Sequence, residues 1–147
     1  MILPDVNVFV YAARREYPQH ESAARWLTAA LADVEPVAVL DEILASTVRL
    51  ITNHRIFTTP ATTAQAFEFC EAVRAAPSAV TPSLSPRRWS AFAHLCTHLD
   101  LRANDVPDAL IAADAIALDA TLVTFDKGFR RFPGLRLSIL DEPNEAG

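Results

Sequence analysis

Short apolar runs alternate with longer amphipathic stretches along the whole chain, and this alternation restricts the possible folds more than any other feature. Ile2-Leu3, Pro36 to Leu40, Thr121 to Phe125 and Arg136 to Leu140 read as strands. Ala79 to Pro82 is a weaker one, because its proline removes a ladder donor. Between them, His20 to Leu31 places Ala23, Trp26, Leu27, Ala30 and Leu31 at helical spacing. Ile43 to about Asn53 repeats the pattern, with Asp41 and Glu42 in its first turn. Thr62 to Ala75 follows, with Thr62 or Thr63 available as a cap. Ser85 and Pro86 then open a helix through Leu99, the serine capping and the proline taking the first position. Ala109 to Leu118 is apolar nearly all round, which predicts deep burial. Strands alternating in this way with helices predict an α/β domain with a mostly parallel sheet covered on both faces.

An apolar share of 51% in 147 residues is ample for one core without a disulfide or a structural metal. One domain over residues 1–140 is expected, with 141–147 as a frayed tail. Cys70 and Cys96 each sit inside an apolar helical pattern and read as reduced core thiols. No run approaches the length of a membrane span and no signal-peptide pattern opens the chain, so a cytoplasmic location is expected. The formal charge of −5 argues against gripping nucleic acid by bulk electrostatics. Lys127 is the only lysine, so arginine carries nearly all the positive charge, and its planar fork suits phosphate. With three glycines and no phosphate loop, nucleotide-binding folds are improbable.

The acids carry the chemistry. Asp5, Glu42 and Asp126 each follow a strand, and Asp108 opens the most buried helix. Singly, each has a structural explanation as a cap, a dipole partner or a turn residue. Together they crowd the carboxyl ends of the strands, where functional groups collect in open parallel sheets. Two like charges about 4 Å apart repel by roughly 4 kcal/mol at an effective dielectric near 20. Either a raised pKa or a hard divalent cation relieves this, and oxygen-only ligands suit Mg²⁺ or Mn²⁺. Such a centre suits phosphodiester hydrolysis. Asp5 and Asp108 are the candidate metal ligands, and Glu42 and Asp126 complete the catalytic cage, with Glu42 able to orient the attacking water. Asn7 and Thr124 are neutral hydrogen-bonding supports beside two of the acids, and Asp105 is a possible stand-in for Asp108. His94 and His98 stand four apart on one helix, but no third ligand accompanies them.

These residues resemble the PIN-domain ribonucleases, and among them the VapC toxins of bacterial VapBC toxin-antitoxin pairs. Leu3-Pro4-Asp5-Val6-Asn7 looks like the family's D-x-N motif. Glu42 to Phe57 looks like the second-acid helix and the turn after it, with His54 where the toxins often have proline. Val106-Pro107-Asp108-Ala109 is similar to the third-acid segment, and Thr124-Phe125-Asp126-Lys127-Gly128-Phe129 to the fourth. The resemblance covers residues 1 to about 140. It implies a three-layer α/β/α fold with about four or five parallel strands and Mg²⁺- or Mn²⁺-dependent cleavage of single-stranded RNA. It also implies homodimerisation and a VapB-like antitoxin that blocks the acidic pocket. The pairs Arg14-Arg15, Arg87-Arg88 and Arg130-Arg131 are candidates to track an RNA backbone, or are solvated helix faces. Two other readings stay open. One is a haloacid-dehalogenase type phosphatase with Asp5 as nucleophile, although Asn7 stands where its general acid belongs. The other is a non-catalytic PIN-like interaction module.

Overall fold

A computed structural model of the chain describes residues 1–141, so the expected tail lies, apart from Asp141, outside the described residues. Five parallel strands form one sheet: β1 (Ile2–Pro4), β2 (Val37–Ala38), β3 (Ala79–Val80), β4 (Thr121–Thr124) and β5 (Arg136–Ile139). Their order is β3-β2-β1-β4-β5. Six α-helices connect them: α1 (Val6–Ala13), α2 (His20–Ala32), α3 (Asp41–Ile51), α4 (Thr63–Arg74), α5 (Arg87–His98) and α6 (Val106–Ala117). The four helices α1 to α4 pack in sequence through α1·α2, α1·α3 and α3·α4, while α5 packs along α6. The result is a three-layer α/β/α domain with the sheet in the middle. No helix among the described residues is long and apolar enough to cross a membrane.

The chain builds outward from β1 to β2 and β3, then crosses back to place β4 on the other side of β1. Strand order therefore reverses between β1 and β4, and the connections diverge there to leave a crevice at the carboxyl ends. Leu3, Val37 and Leu122 are fully buried in the sheet, and Phe9 and Phe129 fill the core on elements that follow β1 and β4. Such continuous burial explains why these strands read as apolar runs rather than alternating ones.

Some boundaries differ from expectation. The run Pro36 to Leu40 gives only a two-residue β2, with Val39 and Leu40 buried beyond it, because α3 begins at Asp41. α6 begins at Val106, three residues early, since Pro107 lies in a first turn whose amides need no intrahelical partner. At α4 the cap is Thr62: its hydroxyl accepts from the Gln65 amide at 3.1 Å, and the Gln65 side chain accepts the Thr62 amide at 3.0 Å. At α5 Pro86 takes the cap position itself, and the Ser85 hydroxyl accepts the Arg87 amide at 3.2 Å.

Candidate active site

β1 runs into Asp5, which caps α1 and is only 5% exposed. One Asp5 oxygen, Oδ1, accepts the Val6 amide at 2.6 Å, and Oδ2 accepts the Thr124 hydroxyl at 2.7 Å. Thr124 ends the neighbouring β4 and is fully buried. Its oxygen in turn accepts from Asn7 Nδ2 at 3.0 Å and from the Asp126 amide at 3.0 Å. Asn7 Oδ1 receives the Phe125 amide at 3.3 Å. Both residues read from the sequence as supports of the acids thus hold the Asp5 carboxylate and the Asp126 backbone in fixed relation across the strand-order reversal.

Asp126 is exposed, and its Oδ1 accepts the Gly128 amide at 2.7 Å. A Cβ at Gly128 would stand 2.9 Å from that oxygen, so a larger residue there would have to displace the Asp126 carboxylate. Asp108, half-buried in the first turn of α6, accepts from Arg131 Nη2 at 3.2 Å, and Arg131 Nη1 reaches Asp105 at 3.2 Å. Asp5, Asp108 and Asp126 border one open pocket of about 350 Å³, together with Asn7, Tyr11, Tyr17, Ser46 and Arg49. Asp105 is not in its lining; it bears on the site through Arg131 and Asp108.

Burial pushes the Asp5 carboxyl up to about 6, and the negative charges of Asp108 and Asp126 add to that against its two hydrogen bonds. Burial also raises Asp108, which Arg131 partly offsets. A carboxyl with a raised folded pKa makes the fold less stable as pH climbs from its unfolded value to its folded one. Asp5→Asn is therefore expected to stabilise the metal-free protein by about 2 to 3 kcal/mol above pH 6 and by progressively less as pH falls to about 4. Thermal midpoints of both proteins across that range check this; a variant less stable than wild type at neutral pH would contradict it.

Glu42 does not join this cluster. It lies in the first turn of α3, in a separate depression with Leu84, Ser85, Pro86, Arg88, Trp89, Phe92 and Leu110, and its Oε1 accepts from Arg88 Nη2 at 2.7 Å. The same guanidinium is hydrogen-bonded to Asp114, a buried acid of α6. The expected fourth acid is thus turned toward α5 by an ion pair, and one turn farther along α3 Ser46 lines the pocket instead. With a half-exposed side chain in its ion pair, Glu42→Gln is expected to cost under about 1 kcal/mol of stability, which thermal midpoints check; a loss above about 2 kcal/mol would show the pair to be structural.

At least one arginine of each pair is already committed. Arg14 is ion-paired with Glu16 at 3.0 Å and lies over the Phe57 ring at 4.3 Å; Arg88 and Arg131 hold acids as described. The His94 and His98 rings stack at 5.5 Å on an exposed helix face. Sequence reasoning missed Ser46, Arg49, Tyr11 and Tyr17. Ser46 and Arg49 follow Glu42 at helical i+4 and i+7 spacing, so extending the face of α3 that begins at Glu42 would have found them.

A family model for the PIN domain matches residues 2–135. Over 136 residues the chain is 38% identical to "Ribonuclease VapC43" of Mycobacterium tuberculosis, covering 92% of each chain. It is 37% identical to "Ribonuclease VapC31" of the same organism, covering 92% of this chain and 96% of that one. Among solved structures, VapBC2 from Rickettsia felis bound to a promoter DNA fragment matches with TM-score 0.72 at 26% identity, covering 96% of this chain and 100% of that chain. VapC20 of Mycobacterium tuberculosis, described as a sarcin-ricin loop cleaving toxin, shares the fold with TM-score 0.63 at 17% identity, covering 92% and 99%. Motif order, strand topology and these likenesses agree: the chain belongs to the PIN-domain family.

Proposed function

We propose that the protein is a Mg²⁺- or Mn²⁺-dependent endoribonuclease of single-stranded RNA, the toxin of a type II toxin-antitoxin pair. The observation that carries this reading is the meeting of Asp5, Asp108 and Asp126 at one pocket where β1 and β4 reverse the strand order. The relatives named VapC ribonucleases support the reaction class, and the VapBC structures support a VapB-like antitoxin as partner. Homodimerisation belongs to the same reading, with residues 1–140 as the nuclease domain.

The donor set is all oxygen, which suits a hard cation, and the raised Asp5 is the electrostatic demand that a cation would meet. Asp108 is drawn to Arg131 and Asp126 to the Gly128 amide, and among the described residues no three ligating side chains already converge on one point. Asp5 and Asp108 would hold the ion, with Asp126 reaching it directly or through water. Such an ion supplies Lewis acidity that lowers the pKa of a water and neutralises charge building on the phosphate. The chain's own groups do the rest. Thr124 and Asn7 keep Asp5 aimed into the pocket, and Arg131 sets the position of Asp108.

The test is incubation of purified protein with cellular RNA in Mg²⁺, in Mn²⁺ and in chelator. Cleavage in either metal and none in chelator is expected, and a divalent ion should raise the thermal midpoint of wild type more than that of Asp5→Asn. Equal cleavage in chelator, or hydrolysis of small phosphate monoesters alone, would overturn the assignment. An inert protein that still binds its antitoxin would be the non-catalytic module.

A further inference from the structure

The pocket carries a second set of residues that the acids do not explain. Arg49 is the basic residue in its lining, and no ion pair or hydrogen bond engages its guanidinium among the described residues. Arg14, Arg88 and Arg131, by contrast, are all held by acids. Tyr11 and Tyr17 line the same pocket with ring centroids 4.6 Å apart. They belong to a continuous aromatic row: Phe125 meets Tyr11 at 5.2 Å, and Phe57 meets Tyr17 edge-on at 5.9 Å. Both tyrosines are half-buried, so the row is braced from behind and keeps ring surface open to the pocket.

Three carboxylates repel a polyanion wherever cations do not offset them, and Arg49 is the lining cation that, unlike Arg131, no acid already holds. A phosphate held there would leave its neighbouring base in the pocket that the tyrosines also line. Aromatic faces stack on bases of any identity, but only on bases that are not already paired. We propose that this wall is a single-strand cradle, in which Arg49, assisted by the Ser46 hydroxyl, grips one backbone phosphate while Tyr17, braced by Tyr11 and Phe57, stacks on an adjacent unpaired base. The cradle rests on the nuclease reading above and assigns the residues that would hold its substrate.

The test uses the Asp108→Asn protein, expected to leave RNA intact, and follows the fluorescence anisotropy of a labelled single-stranded oligoribonucleotide of mixed sequence. Adding Arg49→Ala is expected to raise Kd about tenfold. It should also flatten the dependence of log Kd on log salt by about 0.7, the signature of one lost phosphate contact on a single strand. Arg49→Lys should restore the salt slope more fully than the affinity. Tyr17→Leu keeps apolar bulk against Tyr11 and Phe57 and is expected to weaken binding about tenfold, most of which Tyr17→Phe recovers. The same oligonucleotide annealed to its complement should bind at least about tenfold more weakly. An unchanged salt slope in Arg49→Ala, unchanged Kd in Tyr17→Leu, or equal affinity for the duplex overturns the cradle. The nuclease reading is judged separately by cleavage in Mg²⁺: wild type that never cuts RNA yet shows this binding pattern sinks that reading and leaves the cradle standing.

Discussion

Asp108→Asn is expected to lower RNA cleavage by about a thousandfold or more, the equivalent of several kcal/mol of transition-state stabilisation, with the fold intact. Asp108 is half-buried, so the substitution preserves its shape and removes only the charge, and no backbone cap depends on its carboxylate. Losing the charge takes one of the three acids from the pocket and frees Arg131, which retains Asp105. Asp5→Asn should be equally inactive while being more stable, so inactivity and stability move in opposite directions at that residue. Cleavage assays beside circular dichroism spectra check both; wild-type rates in either variant would remove the carboxylates from the reaction.

Arg88→Ala is expected to destabilise the protein by about 3 to 5 kcal/mol, lowering the thermal midpoint by roughly 10 °C. Arg88 sits on α5 and joins Asp114 of α6 to Glu42 of α3, and Asp114 is only 2% exposed. Removing the guanidinium leaves a carboxylate buried without a counter-charge. Burial already pushes Asp114 up to about 6, while Arg88 pulls it down. The pairing therefore contributes stability when Asp114 is ionised and loses it as pH falls through the folded value. The gap between variant and wild type should accordingly narrow from about pH 8 to about pH 5. The double variant Arg88→Met with Asp114→Leu should recover most of the loss, because an apolar pair of similar volume carries no desolvation penalty. A single variant within about 2 °C of wild type would show that the network is not structural.

The helix periodicities of α2 through α5 and the apolar runs of β1 and β4 were legible because burial imposes 3.6-residue spacing on one and continuity on the other, whereas β5 at the sheet edge alternates and α6 is apolar on nearly every side. The placement of Asp5, Asp108 and Asp126 near one another followed from the same logic, since all three lie where strands end or a buried helix begins. Glu42 obeyed that logic too and is nonetheless elsewhere. Its fate depended on Arg88 and Asp114, forty-six and seventy-two positions away in sequence, and no local pattern announces a partner at that distance.

By itself the sequence determined the alternation of strands and helices, the parallel sheet and the acids gathered at its carboxyl end. These follow from hydrophobic spacing and from where a strand must stop, which are properties of neighbouring residues. Tertiary structure alone decided which acids share a pocket, that Asp114 is buried against Arg88, and that Arg49 and two tyrosines line the same pocket as the carboxylates. Those outcomes turn on how helices pack across the sheet, where a single turn of α3 separates a side chain in the pocket from one paired outside it.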